Sequence, residues 1–265
     1  MMMNALFFAT LVAYFVATAL QFSAIAFKKE GVGKSAWLVF LAAVIAHTVY
    51  IVVRGIMAKR VPLSNQFEFS TAFAWGVAVL LVLLHFRVKA DWLNAIAMPM
   101  TFMILSYAAL QPREITDLMP ALRSRWFVFH IGSAVISYSA FVIAGCIGLR
   151  YILLNKKGRE ENSLKLRQMD WLSYRLVALG VLMLTVTILT GAIWAEEAWS
   201  AFWTWDPKEV WALITLIVYL LPMHPSLGIC QKPRSYHLYC TLAFLSVIVT
   251  YFGVNFLLGG VHAYM

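Results

Sequence analysis

The sequence predicts an all-α polytopic membrane protein with about eight transmembrane helices and both termini on the extracytoplasmic side. Of its 265 residues, 62% are hydrophobic and only 12% are charged, a balance typical of polytopic membrane proteins and foreign to soluble domains. Apolar runs of the ~20 residues that cross a ~30 Å hydrocarbon layer recur along the chain. The basic residues are divided unequally between the two sets of connections. One membrane domain over residues 1–265 is the simplest organisation.

The predicted spans follow one another with mostly short connections. They cover residues 4–27, 36–57, 67–86, 93–111, 127–154, 172–195, 207–228 and 237–260. We expect the first span to stay as a helix. No basic residue precedes it, and no small-residue cleavage motif separates it from Phe27-Lys28-Lys29.

Lysine and arginine set the predicted orientation, because they concentrate in cytoplasmic connections. With the N-terminus outside, 14 of the 21 basic residues fall on the inner side. These are Lys28, Lys29, Lys34, Arg87, Lys89, Arg150, Lys156, Lys157, Arg159, Lys165, Arg167, Arg175, Lys232 and Arg234. The net charge of +9 is therefore interpreted as anchoring at the inner surface, which excludes nucleic acid as a partner.

The longer connections predict that the outer face carries the chemistry. Residues 111–126 form one outer loop, and residues 194–209 form a tryptophan-rich outer loop within WAEEAWSAFWTWDPKEVW. That stretch holds five of the ten tryptophans. Trp199, Trp203 and Trp205 cannot share one helix face, since the first two are four residues apart and the third is two further on. An interfacial aromatic belt is one interpretation, but the clustering favours an aromatic platform for a planar ligand.

Two helix starts can be located from polar residues. Asp206, Pro207 and Glu209 have the order of an N-cap, a proline in the first turn and a first-turn acid, so helix seven is predicted to begin at about Pro207. Asn65 and Glu68 are interpreted in the same way at the start of helix three, in preference to a ligand or partner contact.

Four histidines are candidate ligands. His130 opens helix five and His262 ends helix eight, so the predicted topology puts both at the outer level. They are either the two axial ligands of a haem iron or two unrelated interfacial histidines. His47 lies in the middle of helix two and His224 in the inner half of helix seven. An ionisable group inside a span is a candidate functional residue, and a neutral histidine bonded to a neighbouring helix is the alternative.

The remaining two histidines, His85 and His237, fall at inner helix ends beside basic residues. We expect both to be surface groups.

The stretch WAEEAWSAFWTWDPKEVW resembles the WWD signature of the haem-handling proteins of cytochrome c maturation, which include the CcmC, CcmF and CcsA (ResC) types. The stretches AHTVYIVVRG, VPLSNQFEF, WFVFHIGSAVISYSAF and TYFGVNFLLGGVHAYM narrow the resemblance to the CcsA subunit of the system II cytochrome c synthase. It extends over helices two, three, five, seven and eight. Ala195 and Ser200 stand where glycines are common, whereas the core FWTWDPKE is intact.

The resemblance implies two haem sites. His47 and His224 correspond to the paired histidines of a transmembrane site, and His130 and His262 to the pair that flanks an external site. Trp194, Trp199, Trp203, Trp205 and Asp206 would bind the porphyrin of haem b, held non-covalently as a substrate. Arg54, Arg60, Arg123, Arg125 and Lys208 are candidates for the propionates, with ordinary surface charges as the alternative.

The resemblance also implies a function, that of a cytochrome c haem lyase (holocytochrome c synthase) subunit in cytochrome c biogenesis. It would export haem and present it outside for thioether attachment to the C-x-x-C-H motif of apocytochrome c, with a separate ResB-type membrane protein as partner. A bacterial inner membrane is preferred over a thylakoid membrane. The alternative functions are a CcmC-like haem transporter or chaperone that serves a separate ligase, and a membrane scaffold that binds no haem.

Overall fold

The computed structural model describes residues 2–154, 164–224 and 233–254. Within these residues the regular elements are helices, with no strand, and seven helices are long and apolar enough to cross a membrane. The all-α, multi-pass prediction is confirmed, and the orientation of the termini stays a prediction. The chain divides into two compact units, Met1–Leu118 and Met119–Met265. The single membrane domain also stays a prediction.

Four helices build the first unit. They are α1 (Met2–Ala26), α2 (Glu30–Ala58), α3 (Gln66–Val88) and α4 (Asn94–Ala109), with a 3₁₀ turn at Asp91–Leu93 before α4. Helix α1 packs on α2 and α4, and α3 packs on α4 and α2. The buried core between them is largely aromatic, with Phe7, Tyr14, Phe40, Tyr50 and Phe67 all fully enclosed.

The start of α3 follows the sequence prediction. The Asn65 side chain accepts a hydrogen bond of 2.8 Å from the backbone N–H of Glu68, so Asn65 is the N-cap. Glu68 does more than act as a first-turn acid, because its buried carboxylate pairs with Arg54 at 2.9 Å and with Arg60 at 2.7 Å. Arg54 also donates to the backbone carbonyl of Arg113 at 2.9 Å, which fastens the segment after α4 to α2.

The second unit contains α5 (Arg125–Leu154), α6 (Leu164–Trp199), α7 (Pro207–Leu220) and α8 (Pro233–Ile248), and α8 continues as a π-helical turn over Val249–Gly253. Helix α5 packs on α6 and α8, and α7 packs on the same two helices. A Cβ at Gly148 would lie 2.6 Å from the carbonyl oxygen of His237. The backbones of α5 and α8 therefore meet where only glycine fits.

Two boundaries differ from the prediction. Helix α6 continues to Trp199, so the segment expected as a loop over 194–209 is irregular only over 200–206. The span expected over 207–228 is an α-helix only to Leu220, followed by a 3₁₀ turn that contains Pro222. A proline there cannot supply a helical N–H. Fourteen residues reach only about 21 Å, which explains why seven and not eight described helices have spanning length.

Candidate functional site

The C-terminal end of α6 forms an aromatic cluster around Trp194. This indole is only 1% exposed and its Nε1–H donates to the backbone carbonyl of Ala121 at 2.8 Å. Its ring lies 5.2 Å from Phe127, 4.8 Å from Trp199 and 5.8 Å from His130, measured between centroids. Trp194 is thus a buried support that fastens α6 to the turn before α5, although sequence reasoning expected it on a ligand-facing loop.

His130 is oriented by α6. Its Nδ1 lies 2.8 Å from the backbone carbonyl oxygen of Thr187, and a carbonyl can only accept. In the neutral ring the proton therefore sits on Nδ1, and the lone pair that a metal ion would need is on Nε2. The ring also lies over Trp194 at an interplanar angle of 25°. A Cβ at Gly191 would stand 2.7 Å from Nδ1, so the missing side chain at this position makes room for the imidazole.

The segment between α6 and α7 holds two more tryptophans, of which Trp203 is half-buried. Trp203 and Trp205 lie edge to face with centroids 5.8 Å apart, and Trp205 is 72% exposed. Ser200 and Trp205 have φ values of 54° and 59°, in the left-handed region that costs a residue with a side chain roughly 1–2 kcal/mol. A bulky aromatic residue held exposed in that conformation is a feature of functional segments.

Helix α7 begins as the sequence predicts. The Asp206 carboxylate accepts from the Lys208 backbone N–H at 2.9 Å, and Glu209 accepts in return from the Asp206 N–H at 3.2 Å, which completes a capping box. Glu209 also accepts from the backbone N–H of Thr204 at 2.9 Å. These bonds fix the residues on both sides of Trp205. Asp206 is buried, so its described role is that of a helix cap.

The first unit holds His47 in its core. The side chain is fully buried, its Nδ1 lies 3.2 Å from the hydroxyl of Tyr14, and its Nε2 has no hydrogen-bond partner among the described residues. The backbone of Thr71 is close to the ring. A buried ring nitrogen without a bonded partner costs free energy, and a bound metal would relieve that cost.

Of the other two predicted ligands, His224 is among the described residues and His262 is not. His224 is exposed and ends the 3₁₀ turn after α7, with its N–H bonded to the carbonyl of Leu221 at 3.2 Å. It belongs to the second unit and His47 to the first. His262 lies outside the described residues. Within the second unit the structure therefore brings together His130, Trp194 and Trp199, and separately pairs Trp203 with Trp205.

Sequence reasoning missed two buried polar clusters. His237 is fully buried, its Nε2 lies 2.7 Å from Asp170 Oδ1, and its ring stacks 4.0 Å from that of Tyr151, so the expectation of a surface group is wrong. The cluster of Glu68 with Arg54 and Arg60 was also missed. Arg54 and Arg60, expected near propionates, direct their guanidinium groups to this carboxylate.

These observations define a multi-pass, all-helical membrane protein that carries an oriented histidine beside a tryptophan-rich helix end. Residues 63–262 match the family described as Cytochrome C assembly protein. The chain belongs to this family, and its role is in cytochrome c biogenesis. The matched range contains His130 and the tryptophan segment, whereas His47 precedes it.

The relatives carry the name cytochrome c biogenesis protein CcsA. One from Guillardia theta is 32% identical over 250 residues, which cover 84% of this chain and 83% of the relative. One from Prochlorococcus marinus strain MIT 9301 is 31% identical over 264 residues, with 87% and 85% covered. A third, from Lactuca sativa, is 29% identical over 259 residues, with 81% and 80% covered. The resemblance to CcsA proteins is thereby confirmed along most of the chain.

Proposed function

We propose that this chain is the haem-presenting subunit of a cytochrome c haem lyase (holocytochrome c synthase). Haem b is its non-covalent substrate, an apocytochrome c is the acceptor, and a ResB-type membrane protein is the partner. The observation that carries the proposal is the orientation of His130. Its Nδ1–H is held by the Thr187 carbonyl at 2.8 Å and its ring lies over Trp194, as a metal-binding imidazole is commonly held by a second shell of ligands.

The external site has the parts that a planar metal complex needs. His130 offers Nε2 to the iron, and His262 is proposed as the ligand on the opposite face. Trp203 and Trp205 offer aromatic surface at the end of the segment that follows α6. These rings would contact the porphyrin and keep water from its edge, and an apolar surround tunes the iron potential.

Thioether formation requires no covalent step on the chain itself. Each cysteine S–H of the acceptor adds across one vinyl group of the haem, so one C–S and one C–H bond form with no net oxidation. Holding two thiols against two vinyl groups supplies rate by positioning alone. This fits a chain that offers ligands and aromatic surface to the reactants.

His47 and His224 are proposed as the ligands of a transmembrane haem on its way to the external site. Support comes from the Nε2 of His47, which is buried without a hydrogen-bond partner among the described residues. The Tyr14 hydroxyl can accept from Nδ1–H and so leave the lone pair on Nε2. Because the ring is fully buried, a haem can reach it only if the helices around it open locally.

The membrane is proposed to be the bacterial inner membrane. A thylakoid membrane is the alternative, which the cyanobacterial relative favours. Membrane fractionation of the native host, with immunodetection of the chain, separates these two locations.

The test of the function is reconstitution. The chain is expressed with a ResB-type partner and a reporter apocytochrome in a host that lacks its own maturation genes, and covalent haem is read by in-gel haem staining. Wild type should mature the reporter, and His47→Ala, His130→Ala, His224→Ala and His262→Ala should each lose most of it. Exposed Phe202 gives a control, since Phe202→Leu should keep most of the activity.

Two outcomes would contradict the proposal. If the purified chain carries haem but matures no reporter in the presence of the partner, it is a haem carrier of the CcmC type. If it carries no haem spectrum at all, haem handling itself is wrong and the aromatic segment serves another purpose.

A further inference from the structure

Three polar contacts join the first turns of α5 to α6 around His130. The Ser133 hydroxyl oxygen lies 2.9 Å from that of Thr187, and it donates to the backbone carbonyl of His130 at 3.0 Å. The Thr187 carbonyl is the oxygen that meets His130 Nδ1 at 2.8 Å. Ser133 thus contacts the main chain of the candidate ligand, Thr187 contacts its imidazole, and the two contact each other.

The contact between the two hydroxyl groups is buried between the helices. Ser133 is 7% exposed and Thr187 is 4% exposed. Thr187 Oγ1 also donates to the carbonyl of Met183, one turn earlier on α6, at 2.8 Å. A hydroxyl carries one proton and two lone pairs. The pair can therefore exchange one hydrogen bond across the interface while the other proton goes to a backbone carbonyl.

The α6 surface below the imidazole fits the ring closely. Thr187, Gly191 and Trp194 recur every three or four residues and so lie on one helix face. A Cβ at Gly191 would stand 2.7 Å from His130 Nδ1, and the Trp194 ring lies 5.8 Å from the imidazole between centroids. The ring therefore fits at one register of α5 on α6. A hydrogen bond that fixes this register also fixes the ring.

A second serine joins the same two helices farther from the imidazole. Ser137 lies one turn after Ser133 on α5 and donates to the backbone carbonyl of Gly180 at 2.8 Å. Gly180 precedes Thr187 by seven residues, about 10 Å along the axis of α6. Ser137 therefore provides an interhelical contact of the same chemistry at another level of the interface.

We propose that Ser133 and Thr187 are positioning residues for His130. Their hydroxyl pair fixes α5 against α6, so that the Thr187 carbonyl stays on Nδ1 and the lone pair of the neutral ring stays on Nε2. Groups behind a metal-binding histidine set its tautomer and its orientation. The identity of the metal complex as haem rests on the proposed function. The positioning itself belongs to the haem-free chain.

The first test measures the tautomer of His130 without haem. The full chain is labelled with isotopic nitrogen in its histidines, and nitrogen NMR shifts distinguish Nδ1–H from Nε2–H at alkaline pH, where imidazole is neutral. His130→Gln assigns the signal. Wild type should show Nδ1–H, whereas Ser133→Ala and Thr187→Val should each show a mixture of both tautomers. Thr185→Val is the matched control, because the Thr185 hydroxyl donates to the Val181 carbonyl of its own helix at 2.9 Å.

The second test is a haemin titration of the full chain with its ResB-type partner. Loss of a group behind a metal ligand typically weakens binding about 10–100-fold, so we expect Ser133→Ala and Thr187→Val each to weaken haem binding about tenfold. Ser137→Ala and Thr185→Val should bind haem as wild type does. The double variant of Ser133 and Thr187 should bind no more weakly than either single variant, because both substitutions remove the same contact.

The proposal is overturned if Ser133→Ala and Thr187→Val keep the wild-type tautomer, or if their losses of haem affinity add in the double variant. Melting temperatures of the haem-free chain identify a variant that does not fold, and the other single variant then decides. A chain that binds no haem but shows the expected tautomer change supports the positioning role and contradicts the proposed function. The two proposals can therefore fail separately.

Discussion

The Nδ1 atom of His130 lies 2.8 Å from the backbone carbonyl oxygen of Thr187. The contact joins a side chain of α5 to the main chain of α6, so its acceptor does not depend on which side chain stands at position 187. In the neutral imidazole the carbonyl directs the proton to Nδ1 and leaves the lone pair on Nε2. The site is consequently sensitive to changes on α6 that shift the imidazole.

Gly191→Ala should displace His130. The added methyl group would stand 2.7 Å from Nδ1 and 2.8 Å from Cε1, well inside van der Waals contact, and overpacking of this kind costs about 1–3 kcal/mol. We expect a lower melting temperature and loss of most reporter maturation. Gly132→Ala on α5 is the matched control, because a Cβ there meets nothing within 4 Å. If Gly191→Ala and Gly132→Ala had the same melting temperature and the same reporter maturation, the close approach to His130 would have no effect on stability or activity.

Replacement by phenylalanine should lower stability at Trp194 and haem binding at Trp205. Trp194→Phe removes the bond to the Ala121 carbonyl and leaves that group without its donor, so it should lower the free energy of unfolding by about 1–3 kcal/mol. Trp205→Phe changes an exposed side chain and should leave stability within about 0.5 kcal/mol, yet reduce bound haem. Thermal unfolding and haem content per chain are the two measurements. A haem defect in Trp194→Phe without destabilisation would contradict its role as a support.

Ser200→Gly should stabilise the chain. Ser200 ends α6 at a φ of 54°, where glycine avoids the steric cost of a side chain, so the expected gain is about 0.5–1 kcal/mol. Ser200→Val should lower the free energy of unfolding by a similar amount or more. Ala201→Gly provides a control at a neighbouring position outside that conformation. Stabilisation by Ala201→Gly equal to that by Ser200→Gly would point to general loop flexibility in place of backbone conformation.

Glu68→Gln should be strongly destabilising. The carboxylate is fully buried and pairs with two guanidinium groups, and removal of one partner from a buried ion pair costs about 3–5 kcal/mol. Detergent-solubilised protein should show a large fall in melting temperature. Asp117→Asn, an exposed acid in the same unit, should change little. A similar loss in both variants would indicate a net-charge effect.

The parts of the fold that follow from local chemistry could be read from the sequence. Apolar run length located four spans, those of α1, α3, α4 and α5, to within about two residues at both ends. The order Asp206, Pro207 and Glu209 gave the start of α7, because capping depends only on neighbours in the chain. The end of α6 was placed too early. No glycine or proline interrupts the residues from Trp194 to Trp199, so the helix continues where aromatic composition suggested a loop.

Contacts between distant segments could not be read in this way. His237 stands beside Arg234 near a helix start, which suggests a surface position, yet it meets Asp170 on α6 and Tyr151 on α5. Arg54 likewise finds its carboxylate only when α2 and α3 pack. Pairings of this kind arise from helix packing, and no local pattern in the chain encodes them.

The contrast between a buried Trp194 and an exposed Trp205 has an optical consequence. An indole packed in an apolar interior emits at shorter wavelength than one in contact with water, and porphyrins absorb where indoles emit. A chain that keeps Trp205 and loses the tryptophans that are not required for folding would therefore carry its own fluorescent reporter in the segment just before α7. Energy transfer to a bound porphyrin would quench this fluorescence. The quenching would report each binding and release of the haem that we propose as substrate, without an added label.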